Sequence, residues 1–153
     1  MINVRACHAS DAEQIERILA TATGELRAIY IPTQPPTTPS AASTSRVAAI
    51  DDHGNVMGIA DFLPLSSALY IQNLAVAPAY RRRGAARALL DHIAVIAVGM
   101  QLPILQLATV RETGNVAIFE CLDFHVIATR ISDRFIAPNG LPVSIVTLER
   151  STV

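Results

Sequence analysis

Leu74-Ala75-Val76-Ala77-Pro78-Ala79-Tyr80-Arg81-Arg82-Arg83-Gly84-Ala85-Ala86 is the stretch that decides how this chain folds. An apolar run ends at Val76, Pro78 breaks it, and an Arg/Gly turn opens directly into a long amphipathic segment. Proline cannot donate to a strand ladder, so the run must stop there. Small residues at Gly84, Ala85 and Ala86 let a ligand come close to the main chain. A helix N-terminus carries unsatisfied N–H groups and a partial positive charge, which together make an anion site. Arg81, Arg82 and Arg83 add charge above it, so a phosphate or pyrophosphate is the ligand to expect. Two familiar phosphate motifs are absent: there is no G-x-x-x-x-G-K-[ST], and no G-x-G-x-x-G followed by a ribose-binding acid.

Working outward, residues 83–98 read as a helix, with Ala86, Leu89, Leu90, Ile93 and Ile96 on one face and Gly99 as its stop. Upstream, Leu69–Val76 reads as a strand, preceded by a hairpin of strands over 47–50 and 56–65 around the turn Asp51–Asn55. Residues 2–6 form a first strand. Ser10 with Glu13 then has the capping-box spacing before a helix carrying Ile15, Ile18 and Leu19, which should end near Gly24. Between residues 30 and 45 the composition turns to Pro, Thr, Ser and Ala, and neither strand nor helix is expected. A loop this long inside a small domain is usually functional. Downstream come a strand at 104–109, a short helix at 115–122, and strands at 124–131 and 142–148. The order β-α-loop-β-β-β-α-β-α-β-β predicts a mixed α+β fold, one domain spanning 1–153, and excludes a helical bundle.

The bulk numbers limit the partners. The chain has 153 residues, half of them hydrophobic, with 12 basic against 13 acidic side chains and a net charge of -1. That balance gives no general attraction to nucleic acid or anionic membranes. Cys7 and Cys121 form no metal-ligand spacing, so no metal is expected, and reduced thiols suit a cytoplasmic protein. No run approaches the ~18 apolar residues that span a bilayer.

The segment Arg81 to Ala86, R-x-x-G-x-A preceded by L-A-V-x-P, resembles the central motif of the GCN5-related N-acetyltransferase family, Q/R-x-x-G-x-G/A. Leu89-Leu90 one turn into the helix fits as well. Further on, Asn115-Val116-Ala117-Ile118-Phe119-Glu120-Cys121-Leu122-Asp123-Phe124 is similar to the family's asparagine and Tyr-Glu-x-Leu-Gly-Phe segment, with two residues fewer between asparagine and aromatic. The resemblance implies a splayed, mostly antiparallel sheet flanked by helices, and acetyl-CoA as cosubstrate. It implies that backbone groups of Leu74, Ala75 and Val76 face the thioester and pantetheine. Backbone N–H groups of Arg81, Arg82, Arg83, Gly84, Ala85 and Ala86 would hold the pyrophosphate, and Asn115 the pantetheine arm. Asn115 also reads as a helix N-cap.

The catalytic groups are less legible. Phe119 stands where the family often has the tyrosine that protonates the departing thiolate, and Asp123 replaces the usual glycine. Tyr70 and Cys121 are substitute acids, against readings as an interior aromatic and a buried thiol. An amine must shed a proton to attack the thioester, and a carboxylate or histidine would help. Asp61, a charge inside an apolar strand, is the first candidate base, against a reading as an outward-facing strand residue; His125 is the second. Glu25 is a substrate-contact candidate, while His8, His53 and His92 read as turn or helix-surface residues. The expected reaction is direct acetyl transfer to an amine, a small molecule or peptide N-terminus, with the loop at 30–45 lining the acceptor pocket. The alternative is a non-catalytic acyl-CoA-binding module. The terminal strands leave room for a homodimer paired across a two-fold axis.

Overall fold

The computed structural model describes residues 1–34 and 44–153. The first strand, β1 (Asn3–Ala6), leads into helix α1 (Ala12–Arg27) through one 3-10 turn. Asp11 rather than Ser10 closes that entry: its carboxylate accepts from the His8 N–H at 2.7 Å and is held by Arg5 at 2.7 and 3.2 Å. The helix runs past Gly24 to Arg27, because the glycine sits on its exposed side with nothing near it. A two-residue strand, β2 (Ile31–Pro32), then forms inside the segment expected to hold none. Proline is tolerated there because β2 lies at the sheet edge, pairing only with the far end of β7 (His125–Ile136). Residues 35–43, most of the expected acceptor loop, lie outside the described residues.

Strands β3 (Ser45–Ile50), β4 (Val56–Pro64) and β5 (Leu69–Val76) follow, then α2 (Ala85–Gly99), β6 (Ile104–Val110), α3 (Asn115–Cys121), β7 and β8 (Pro142–Ser151). The sheet order is β1-β3-β4-β5-β6-β8-β7-β2, antiparallel throughout except between β5 and β6. β4 is buried along Val56–Phe62 because it is covered on both faces. One face packs α1 through Ile15, Ile18, Ile59 and Ala75. The other packs α2 through Leu89, Leu90 and Ile93 against Ala60, Phe62, Leu69, Ile71 and Leu105. Burying a leucine or isoleucine contributes about 2 kcal/mol, so these two cores fix both helices. β7 is the counter-case: residues 125–131 are all exposed. It also extends five residues beyond the expected end at 131, to Ile136.

Candidate functional site

β5 and β6 pair only at Leu69 with Leu105 and Tyr70 with Gln106. Beyond Tyr70 the two strands part. The register on the other side of β5 shows why. Asp61 opposes Gln72 and Ile59 opposes Ala75, so Asn73 and Leu74 together face the single residue Ala60. That is a β-bulge, which bends and twists its strand. It also exchanges the faces: Leu69 and Ile71 belong to the α2 core before it, whereas Leu74 and Val76 pack toward that core after it and Ala75 turns to α1. Asn73 carries the strain of the bulge in a left-handed conformation, φ 54°.

Asp61 holds this bulge. Its buried carboxylate accepts from Arg46 Nε and Nη2 at 2.6 and 2.9 Å, and from Asn73 Nδ2 at 2.9 Å. It is neither an outward-facing strand residue nor part of the cleft wall. The apolar residues around it are explained by burial on both faces of β4, and the charge by Arg46 on the neighbouring strand. Removing one partner of such a buried pair is far costlier than the pair's net contribution.

Gly58 explains how closely the two strands approach. A Cβ there would stand 2.7 Å from the Ala75 carbonyl oxygen and 3.2 Å from Val76 Cα.

After β5 the chain turns through Pro78–Tyr80, Arg82 adopts φ 63° and Gly84 φ 89°, and α2 begins at Ala85. The helix therefore starts two residues later than its sequence suggests, and Gly84 takes the N-cap place. No side chain caps it. The first intrahelical bond runs from the Ala88 N–H to the Gly84 carbonyl, leaving the N–H groups of Ala85, Ala86 and Arg87 aimed out of the helix. The three arginines divide their tasks. Arg81 donates to the Glu25 carboxylate at 2.5 and 3.0 Å and to the Val76 carbonyl at 3.3 Å, tying α1 to the turn. The bond from Arg81 holds the Glu25 carboxyl below its ordinary range. Arg83 lies over the Tyr80 ring, whose hydroxyl donates to Asp51 at 3.0 Å. Arg82 makes no side-chain hydrogen bond or ion pair among the described residues.

The opening between β5 and β6 is a cleft of about 450 Å³. Tyr70 to Leu74 form one wall and Leu107 to Val110 the other. Asn115 and Phe119 of α3 close one side; Leu26, Tyr30, Arg130, Ser132, Arg134 and Phe135 close the opposite side. Asn115 is the first residue of α3, not its cap. The cap role falls to Thr113, whose hydroxyl accepts from the Asn115 N–H at 3.2 Å; the Asn115 side chain lines the cleft and makes no hydrogen bond among the described residues. Phe119 packs edge-on against Phe124 at 5.9 Å and brings no hydroxyl. Asp123 adopts φ 73°, a left-handed conformation that glycine takes without strain and aspartate tolerates.

Tyr70 has its hydroxyl pKa raised by burial, opposed by the positive charge of Arg130. Of the expected cofactor residues, Leu74 and Asn115 line the cleft, whereas Ala75, Val76 and residues 81–86 lie outside its lining and follow on from its β5 wall. Cys121 and His125 are exposed and lie outside its lining, as does Glu25. His8 and His53 are exposed and His92 half-buried on α2, and none reaches the cleft.

Tyr30, Arg130, Ser132, Arg134 and Phe135 are among the cleft residues that sequence reading passed over. Ser132, Arg134 and Phe135 fall beyond residue 131, where the strand was expected to stop but continues to Ile136.

A protein-family model described as "Acetyltransferase (GNAT) family" matches residues 12–124. No curated protein matches the chain. Solved structures share its fold at low identity. A GCN5-related N-acetyltransferase from Kribbella flavida is 24% identical, with TM-score 0.72 over 98% of this chain and 97% of that one. The spermidine N-acetyltransferase from Vibrio cholerae, in complex with CoA and spermine, is 16% identical, with TM-score 0.75 over 99% and 95%. The ribosomal-protein-S18-alanine N-acetyltransferase from Escherichia coli is 18% identical, with TM-score 0.71 over 99% and 94%. The match of the family model across the splayed strands, the turn and α3 leaves one conclusion: this chain belongs to the acetyltransferase (GNAT) family.

Proposed function

We propose that this protein transfers the acetyl group of acetyl-CoA directly to an amine. The observation that carries this reading is the parting of β5 from β6 after Tyr70, next to an uncapped helix N-terminus. An unpaired strand edge suits main-chain pairing with an extended amide-bearing arm. The N–H groups at the start of α2 suit the pyrophosphate. Leu74, Ala75 and Val76 line up with the arm and thioester; Arg81, Arg82, Arg83, Gly84, Ala85 and Ala86 surround the pyrophosphate; Asn115 donates to the arm. Their main-chain groups do most of this, with Arg82 and Arg83 adding charge and Arg81 bracing the turn through Glu25.

In the reaction the amine lone pair attacks the thioester carbonyl carbon, and a C–N bond forms as the C–S bond breaks. The carbonyl oxygen takes up negative charge meanwhile, and a β5 backbone N–H near Val76 steadies it. Tyr70 protonates the departing thiolate and is reprotonated from solvent. Its raised pKa keeps it protonated at neutral pH. Among the described residues no carboxylate or histidine lines the cleft, so the amine's proton leaves to water. Asp61 is assigned to shaping the bulge instead of to proton abstraction.

We further place 1–153 in one domain, working in the cytoplasm with acetyl-CoA and an amine as partners and with no nucleic acid, membrane or metal. The free thiols of Cys7 and Cys121 support that location. A homodimer is supported by β7, where Val126, Ile127 and Ile131 are exposed along a strand whose outer edge pairs only at its far end. A non-catalytic acyl-CoA-binding module is the second reading, favoured by Phe119 in place of a proton donor. Thiol release from acetyl-CoA with a panel of amines, alongside CoA calorimetry, tests both. Turnover supports the transferase, CoA binding without turnover the second reading, and absence of CoA binding refutes both.

A further inference from the structure

We propose that the acceptor is an amine that also carries an oxyanion, a carboxylate or a phosphate, seated on Arg130 and Arg134. This rests on the transferase reading above and names its substrate class. Arg130 and Arg134 are the charged side chains in the described cleft wall; no Asp or Glu accompanies them. Arg130 lies just before, and Ser132 and Arg134 within, the stretch where β7 bulges away from β8 between Ile131 and Ile136, and all three border the cleft.

Neither arginine is held in a tight ion pair among the described residues. Among the described residues Arg130 has one partner, Asp133, at 3.8 Å, and both side chains are well exposed, which makes the pair weak and displaceable. Arg134 makes no side-chain hydrogen bond or ion pair among the described residues. The run Pro-Pro-Thr-Thr-Pro-Ser-Ala-Ala-Ser at 35–43 contains no ionisable side chain, so wherever it lies it brings no carboxylate to the cleft. Glu149, on a neighbouring strand, accepts from Gln106 Nε2 at 2.8 Å and is not part of the wall.

Ser132 completes the seat. Its Oγ accepts from the N–H groups of Arg134 and Phe135 at 3.1 and 3.0 Å, leaving the hydroxyl proton to donate outward. Guanidinium forks suit carboxylate and phosphate oxygens, and repel a polycation. Beside them, Tyr30 and Phe135 meet edge-on at 4.9 Å, an apolar surface for the body of the acceptor.

The test is thiol release with matched amines: L-phenylalanine against L-phenylalaninamide, O-phosphoethanolamine against ethanolamine, and spermidine. All 12 basic residues of the chain are arginine, so no lysine of the protein competes as acceptor. At least one oxyanion-bearing amine should exceed its neutral partner by about 10-fold or more in kcat/KM, the worth of one charge-assisted contact. Which pair shows the difference separates carboxylate from phosphate. In Arg134→Gln and Arg130→Gln that preference should collapse toward unity through KM, with CoA affinity unchanged; Arg17→Gln, on the exposed side of α1, is the control. In parallel, calorimetry of N-acetyl-L-phenylalanine and N-acetylphosphoethanolamine against their neutral analogues in the presence of CoA should show the same selectivity without turnover. Faster turnover of neutral amines or spermidine would overturn the proposal and leave the transferase standing. A loss of CoA affinity in Arg134→Gln would equally overturn it, assigning the arginine to the cofactor. No turnover with any amine and no selective binding of the N-acetyl acids would overturn the proposal along with the transferase.

Discussion

Asp61→Asn and Asp61→Ala separate a strut from a base. The Asp61 side chain is 4% exposed and receives three hydrogen bonds, two from a guanidinium that is itself 34% exposed. Breaking a fully buried pair costs about 3–5 kcal/mol. Because Arg46 keeps a path to water, Asp61→Ala should cost about 2–4 kcal/mol, a Tm fall of roughly 6–12 °C in a chain of this size. Asp61→Asn retains the shape and can still accept from Asn73, so it should fall by less. Replacing both Arg46 and Asp61 by leucine should recover much of the loss, since no charge is left unpaired. The assays are thermal unfolding by circular dichroism and the pH profile of kcat/KM. A strut predicts a lower Tm, a raised KM for acetyl-CoA as the bulge relaxes, and an unchanged pH profile. A Tm for Asp61→Asn within about 1 °C of the parent, with kcat down about 100-fold and the acidic limb gone, would refute the reasoning and restore Asp61 as base.

Other consequences are as direct. Gly58→Ala must push β5 away from β4, because its Cβ would meet the Ala75 carbonyl at 2.7 Å; a cost of about 1–3 kcal/mol in chemical denaturation and a raised KM for acetyl-CoA are expected. Arg5 lowers the Asp11 carboxyl from its ordinary 3.8 to about 2. The unfolded chain therefore binds more protons in that interval, and stability is complete above about pH 4 and lost as pH falls toward 2. The loss should amount to about 2 kcal/mol, and Asp11→Asn should flatten that part of the pH–stability curve. Tyr70→Phe should lower kcat by about 100-fold and remove the alkaline limb of its pH profile; an unchanged limb would mean that water protonates the thiolate.

What the sequence determined by itself is local. The break at Pro78, the glycine before α2 and the apolar periodicity of Leu89, Leu90 and Ile93 act over a few residues, so the strand–turn–helix unit and the family motif were legible without coordinates. The α+β class and the element order, apart from the short strand β2, followed from the same short-range signals. Boundaries moved where a neighbour intervened: Arg5 made Asp11 the entry to α1, and Thr113 relieved Asn115 of its cap. The tertiary structure decided everything that depends on residues far apart in sequence. Asp61 looks like a lone charge until Arg46 and Asn73 close around it from two different strands. The width of the cleft comes from a one-residue excess in β5 relative to β4, which no periodicity reveals because the bulge residues are as polar or apolar as their neighbours. The charge of the acceptor side comes from β7, whose Arg130 and Arg134 lie about 50 residues beyond the turn and line the same cleft as Tyr30, which Phe135 meets at the sheet edge. Strand pairing at that range is set by packing of whole faces, and packing is where the sequence alone falls silent.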